Sequence, residues 1–387
     1  MRVLPLLSAF SLALSPAPQR DVHFETQQIR DDFGVGYAVT VADVNGDKKP
    51  DILAINGTQL LWFENPSWQA HVVLDGQTPK DNVTLAPHDI DRDGRLDVAL
   101  GATWKPSDTN GGGTLHWASP SAPGTAGASW ALRDITAEPT LHRIRWANVD
   151  GTGDPELIVA PLHGRGTSPP EWNGVGPRLL ALRVPKDPAR DPWPAEVIDD
   201  SLHIVHNFAV LDFDGDGDDD LIVASREGLH LLERGADGRW TKTRLGDVNA
   251  GEGKVGRLGG ARALAVIEPW HGTTVAIYRE PAKTTRGPWT RQVIDETLTG
   301  GHAIGWIDVD GDGSDELVAG WRDKDVGVAL YRITSATERP ARVMIDAGGM
   351  AAEDLTVADL DADGRPDIIA SGRRTANVRI YWNRTAR

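Results

Sequence analysis

The stretch HNFAVLDFDGDGDDDLIVA, His206 to Ala224, decides the fold. An apolar strand runs into an acidic turn, and a second apolar strand runs out of it. Phe208 and Val210 alternate with their neighbours, which predicts a half-buried strand; Leu221 to Ala224 form a continuous aliphatic run, which predicts a fully buried one. The pattern recurs from Tyr37 (YAVTVADVNGDKKPDILAI), Thr84 (TLAPHDIDRDGRLDVALGA), His142 (HRIRWANVDGTGDPELIVA), His302 (HAIGWIDVDGDGSDELVAG) and Glu353 (EDLTVADLDADGRPDIIAS). A decayed copy, RALAVIEPWHGTTVAIY from Arg262, places Glu268 where the other turns begin. The turn starts are then Asp43, Asp89, Asn148, Asp212, Glu268, Asp308 and Asp359, spaced 40 to 64 residues apart. Such spacing belongs to propeller blades.

Each unit continues with a short apolar strand (LLWFENP, LHWASP, LLALRVP, LHLLERG, VAIYREP, VALYRIT, VRIYWNR) and then with another often opened by Trp (WQAHVVLD, WALRDIT, WPAEVIDD, WTKTRLGD, WTRQVIDE, PARVMIDA). The third strand occurs seven times and the fourth only six. VHFETQQIRDD, Val22 to Asp32, supplies the missing one from the other end of the chain. The expectation is an all-β, seven-bladed β-propeller of four-stranded blades, one domain over residues 21–387, closed by its N-terminal outer strand. Such closure leaves no long open sheet edge.

The composition agrees. In 387 residues there are 42 Gly and 25 Pro, which suits many short strands joined by turns. A formal charge of −16, from 40 Lys+Arg against 56 Asp+Glu, argues against nucleic acid as a partner, since phosphate contact needs a cationic surface. The absence of cysteine excludes disulfides, thiolate nucleophiles and Cys-ligated metals. Residues 1–20, with one basic residue ahead of an apolar run, read as a signal peptide, too short for a membrane span. A secreted or periplasmic, monomeric protein is expected.

The turns follow D-x-[DN]-x-D-x-x-x-[DE]. They comprise Asp43, Asn45, Asp47 and Asp51; Asp89, Asp91, Asp93 and Asp97; Asp212, Asp214, Asp216 and Asp220; Asp308, Asp310, Asp312 and Glu316; and Asp359, Asp361, Asp363 and Asp367. Carboxylates this dense repel one another unless a hard cation lies among them, and all-oxygen ligands suit Ca²⁺. An EF-hand is excluded: the flanks are strands, and its twelfth position is apolar here (Ala54, Val223, Ala319). The third turn (Asn148, Asp150, Glu156) is incomplete. These repeats resemble the FG-GAP (VCBS-type) calcium-binding propeller family over residues 22–387. The opening blade and GHAIGWIDVDGDG are most similar to the propeller of aldos-2-ulose dehydratase-type sugar lyases.

Six residues before each turn start stand Tyr37, Val83, His142, His206, Arg262, His302 and Glu353. In a propeller these inner-strand starts converge on one channel mouth, opposite the acidic turns. The loops joining second and third strands open there too, with Trp104, His163, Arg165, Trp270, His271, Trp321, Arg322 and Arg373. Imidazole suits Zn²⁺ or another divalent transition metal, so His142, His206 and His302, with Glu353, are the expected ligands. Arg and Trp suit a carbohydrate ligand. The resemblance implies metal-assisted β-elimination on a keto- or uronic sugar, with Tyr37, His163 or His271 as base and Arg262 and Arg322 as anchors. The alternative is a non-catalytic, calcium-dependent glycan- or protein-binding propeller.

Overall fold

A computed structural model describes residues 21–121, 128–281 and 287–386, so the expected leader at residues 1–20 lies outside the described residues. Seven antiparallel sheets of four strands surround one axis. Blade one runs Ala38–Ala42, Asp51–Ile55, Gln59–Glu64 and Gln69–Asp75, innermost strand first, and the next five blades repeat the order. Blade seven is composite. Ala352–Ala358, Asp367–Gly372 and Val378–Asn383 come from the C-terminal end, and Phe24–Arg30 is its outer strand. Phe24 pairs with Asn383 and Gln28 with Arg379, as the displaced fourth strand requires. No helix among the described residues is long and apolar enough to cross a membrane.

Outside blade five, second strands are buried throughout because inter-blade packing covers both faces: Asp97–Ala102, Glu156–Pro161 and Asp367–Gly372 have no exposed position. Aromatic side chains bridge neighbouring inner strands. The Trp146 indole donates to the Ala86 carbonyl at 3.2 Å, and the Trp306 indole to that of Lys254 at 3.0 Å. Three of the chain's four tyrosines form one recurring device. Tyr278 with Arg291 on Glu268, Tyr331 with Arg342 on Asp295, and Tyr381 with Arg379 on Asp346 each satisfy a buried carboxylate with a phenol and a guanidinium.

Blade five departs from the expectation. Its inner strand is Glu252–Leu258, and Ala261–Glu268 is the second strand, joined to it through Gly259 and Gly260 at positive φ. A two-residue hairpin has replaced the acidic turn. Glu268 therefore ends a second strand rather than heading a turn. Arg262 pairs with Arg257 beside the hairpin tip, and its guanidinium lies over Phe213 on the acidic-turn side.

Removing residues 21–31 is expected to leave Val378–Asn383 as an unpaired edge and to expose the core beneath Phe24 and Ile29. Thermal unfolding checks this, with a midpoint lower by roughly 10 °C or more and aggregation in size exclusion as the expected result.

Candidate active site at the channel mouth

At the mouth, each inner strand begins beside the start of the next. The Nδ1 of His142 donates to the backbone carbonyl of His206 at 2.9 Å, that of His206 to Gly251 at 3.1 Å, and that of His302 to Glu353 at 2.5 Å. One imidazole after another reaches the carbonyl of the following blade. This fixes the tautomer: Nδ1 carries the proton, and Nε2 keeps its lone pair for whatever occupies the mouth.

The ladder identifies Gly251 as the blade-five counterpart of the histidines. A Cβ there would lie 2.5 Å from Trp270 Cα, so glycine lets the Trp270–His271 loop descend onto the strand. His271 is held at φ +56°, a strained backbone for a side chain of its size. It enters the space between blades four and six, where its Nε2 sits 2.9 Å from His206 Nε2. His206, His271 and His302 bring ligand atoms within 4.8 Å of one another.

This arrangement redraws the expected ligand set. His142 does not join, because Arg143 donates to its Nε2 at 3.0 Å and Trp104 stacks on its ring at 4.8 Å. The Glu353 carboxylate is engaged by Arg322 at 2.5 Å and Arg373 at 2.9 Å, and it remains 4.0 Å from His302 Nε2. His271, read from sequence as a base candidate, stands instead as the third converging imidazole. Behind His206, Glu252 lies 3.1 Å from Nδ1 and also accepts from Asn207, giving the ring a carboxylate partner. Burial, reinforced by nearby guanidiniums, holds His271 and His302 far below the ordinary imidazole range. His206 is also lowered, burial outweighing Glu252. All three rings are neutral at neutral pH, the state a ligand requires.

The other predicted residues flank this cluster, except one. Tyr37 donates to Asp81 at 3.1 Å and lies 6.0 Å from the Arg373 guanidinium; burial and the Asp81 charge push its phenol to about 12. His163 stacks on Trp172 at 3.7 Å, with Trp270 edge-on at 6.1 Å. Burial lowers His163 to about 4, and its buried Nδ1 has no hydrogen-bond partner among the described residues. Arg322 stands beside the histidines on Glu353. Arg262 is at the opposite face, the consequence of the blade-five hairpin, and cannot anchor a ligand at this mouth.

The acidic turns are preorganised on that opposite face. The leading carboxylate accepts amides within its own turn, as Asp43 does from Gly46 and Lys48. The last accepts the amide of the second turn residue: Asp51 from Val44, Asp97 from Ile90, Asp220 from Phe213, Glu316 from Val309 and Asp367 from Leu360. In four turns, Asp89–Asp91–Asp97, Asp212–Asp214–Asp220, Asp308–Asp310–Asp312 and Asp359–Asp361–Asp367, three carboxylates converge within 4.8 Å. Asp97 Oδ1 is fully buried without a partner among the described residues. Arginines that directly follow the third strands intrude on other turns: Arg183 on Asp150 at 2.6 Å, Arg332 on Asp310 at 3.3 Å and Arg384 on Asp361 at 2.9 Å.

Residues 112–281 match the family described as aldos-2-ulose dehydratase, beta-propeller domain, and residues 43–100 and 308–370 match the FG-GAP-like repeat. Aldos-2-ulose dehydratase of Phanerodontia chrysosporium is 25% identical over 342 residues, covering 78% of this chain and 36% of that protein. The chain thus spans about a third of its relative's length. A chain from the crystal structure of BBS1N in complex with ARL6DN superposes with a TM-score of 0.56 at 11% identity, covering 93% of this chain and 96% of that one, a likeness of fold. An Agrocybe aegerita lectin structure, concerned with recognition of terminal N-acetylglucosamine, gives 0.49 at 13% identity over 81% of each chain. The chain is a seven-bladed propeller in which residues 43–100 and 308–370 are similar to FG-GAP-like repeats and residues 112–281 to the aldos-2-ulose dehydratase β-propeller domain.

Proposed function

We propose that this protein is a sugar dehydratase or lyase that performs β-elimination on a keto- or uronic sugar at the channel mouth. The observation that carries the reading is the convergence of three neutral imidazoles, His206, His271 and His302, whose ligand atoms lie within 4.8 Å of one another while backbone carbonyls occupy the Nδ1 of His206 and His302. Three histidines suit a divalent transition metal, which when bound supplies Lewis-acid polarisation of a carbonyl oxygen. The relationship to a sugar dehydratase supports the substrate class.

The residues around the cluster divide the proton work. Elimination removes the proton α to the carbonyl, forms a carbon–carbon double bond and expels the β-oxygen, which leaves with a proton as water or as a sugar hydroxyl. His163, held neutral by burial and without a partner at Nδ1 among the described residues, is the base. Tyr37, raised to about 12, keeps its proton and serves as donor to the leaving oxygen. Arg322, held by Glu353, orients the substrate through its remaining N–H groups. Trp104 and Trp270 offer aromatic faces for a pyranose.

Incubation with a panel of keto-sugars and uronic polysaccharides should yield an unsaturated, ultraviolet-absorbing product. His163→Gln should slow its formation by roughly 10²-fold or more, with Tyr37→Phe slower by about tenfold. Tight glycan binding with no product across the panel would instead favour the non-catalytic glycan-binding reading, which the mouth tryptophans also suit.

Metal content separates the histidines. Protein purified without chelator should carry about one transition metal per chain. His271→Ala should lose it, whereas His142→Ala should keep it. Loss in both variants alike, or no stoichiometric metal in the parent, would remove the centre from the account.

The acidic turns fit Ca²⁺ as a structural ion, a reading supported by the buried Asp97 oxygen, which has no hydrogen-bond partner among the described residues. Chelation should lower the unfolding midpoint and added Ca²⁺ restore it, a linkage worth about 2.7 kcal/mol at a hundredfold excess over Kd. The turns are not equal, because Arg332 and Arg384 already neutralise those of blades six and seven. In calorimetry, Arg332→Met should convert one weak site into a tighter one.

A further inference from the structure

Below the histidines, between the middles of the inner strands, the axis widens into a cavity of about 340 Å³. Its wall carries Arg143, Arg145 and Lys254 but a single carboxylate, Asp354, with the hydroxyl-bearing Thr40 and Thr84 beside them. Just outside this wall, Glu252 accepts from Asn207, lies 3.1 Å from His206 and forms an ion pair with Arg143 at 3.6 Å. Arg143 in turn is occupied by the ring and carbonyl of His142. Asp354 accepts the Val39 amide at 3.0 Å. Arg145 is not matched: its Nη1 is buried without a hydrogen-bond partner among the described residues, and its guanidinium rests 4.8 Å above the Phe208 ring.

With Arg143 paired to Glu252, Arg145 and Lys254 face the single carboxylate Asp354, an excess of positive charge that is unfavourable inside a channel unless something compensates. Burial and the charge of Arg143 depress Arg145 to about 10, and burial together with Arg145 holds Lys254 below its ordinary value. The sequence contains more acid than base, yet supplies only one free carboxylate here. A core that needed neutrality alone would place apolar residues at these positions, at little cost to stability. The volume exceeds that of a single small oxyanion several-fold, leaving room for the body of a larger ligand.

We propose that this chamber is an anion-binding site, taking a carboxylate or phosphate oxyanion between Arg145 and Lys254, with Asp354 tempering its affinity. Guanidinium pairs with planar oxyanions in bidentate fashion, and an ammonium serves as a point charge beside it. Arg143 belongs to both the chamber wall and the shell of His142, so the site adjoins the mouth. It stands whether or not the mouth performs elimination.

The test uses the full chain at constant ionic strength, with inorganic phosphate, glucuronate and neutral glucose followed by calorimetry and thermal shift. Phosphate and glucuronate should bind and raise the unfolding midpoint. Arg145→Met and Lys254→Met should each weaken anion binding at least tenfold while leaving any glucose binding unchanged. Asp354→Asn should strengthen it several-fold, a gain that no loss of folding can imitate. Glucuronate bound more tightly than phosphate would identify the source as the acid group of a sugar, and the reverse order a free inorganic anion. The proposal is overturned if neither anion binds beyond chloride, if folded Arg145→Met binds like the parent, or if Asp354→Asn weakens binding. Anion binding by a chain that turns over no sugar would keep the chamber and remove only the catalytic reading.

Discussion

The antiparallel pairing of Phe24–Arg30 with Val378–Asn383 is the constraint on which the rest depends. A propeller's axis exists only when the last sheet is joined to the first, and here the joint is a strand borrowed from the other end of the chain. With the ring closed, seven inner strands start at one mouth, and residues 64 positions apart become hydrogen-bonded neighbours, as His142 and His206 do. The cost of bringing such distant segments together is met by the buried second strands and by bonds that cross between blades. Asn65 reaches the Leu360 carbonyl at 2.7 Å, and Asn383 reaches that of Val309 at 2.9 Å. These asparagines tie the acidic turns of blades seven and six to the adjacent blade.

Closure also separates the charges. Carboxylates collect on the turn face, in shells braced by backbone amides. Imidazoles and guanidiniums collect at the mouth and along the axis, where burial strengthens every charge interaction. The histidines there are neutral because burial disfavours their charged form, with Arg143 and Arg322 adding to the cost. A chain of net charge −16 thereby carries an interior suited to binding anions.

Much of this was readable in the residues. The blade count and the displaced strand follow from apolar alternation and from a tally of strands. The shared position of His142, His206 and His302 follows from their fixed distance to the acidic turns. Their roles do not follow, because spacing says nothing about what meets a ring's second nitrogen: His142 gives that atom to Arg143, its own neighbour in sequence. His271 sits in a loop, outside any register, and its place is set by the missing side chain of Gly251, distant in sequence. The repeat pattern places Arg262 and Glu268 wrongly because the hairpin at Gly259–Gly260 carries none of the acidic marks of the other turns. The pair of glycines between two alternating runs, EGKVGRL and ARALAVIE, was the available signal.

X-ray absorption at the metal edge tests the central claim most directly, since it sees only the atoms around the ion. The account predicts imidazole scattering from three histidine nitrogens at about 2.0–2.1 Å, as for zinc, with the signature reduced to two in His302→Ala. A shell of carboxylate oxygens alone, or a three-imidazole signature that persists without His302, would contradict it.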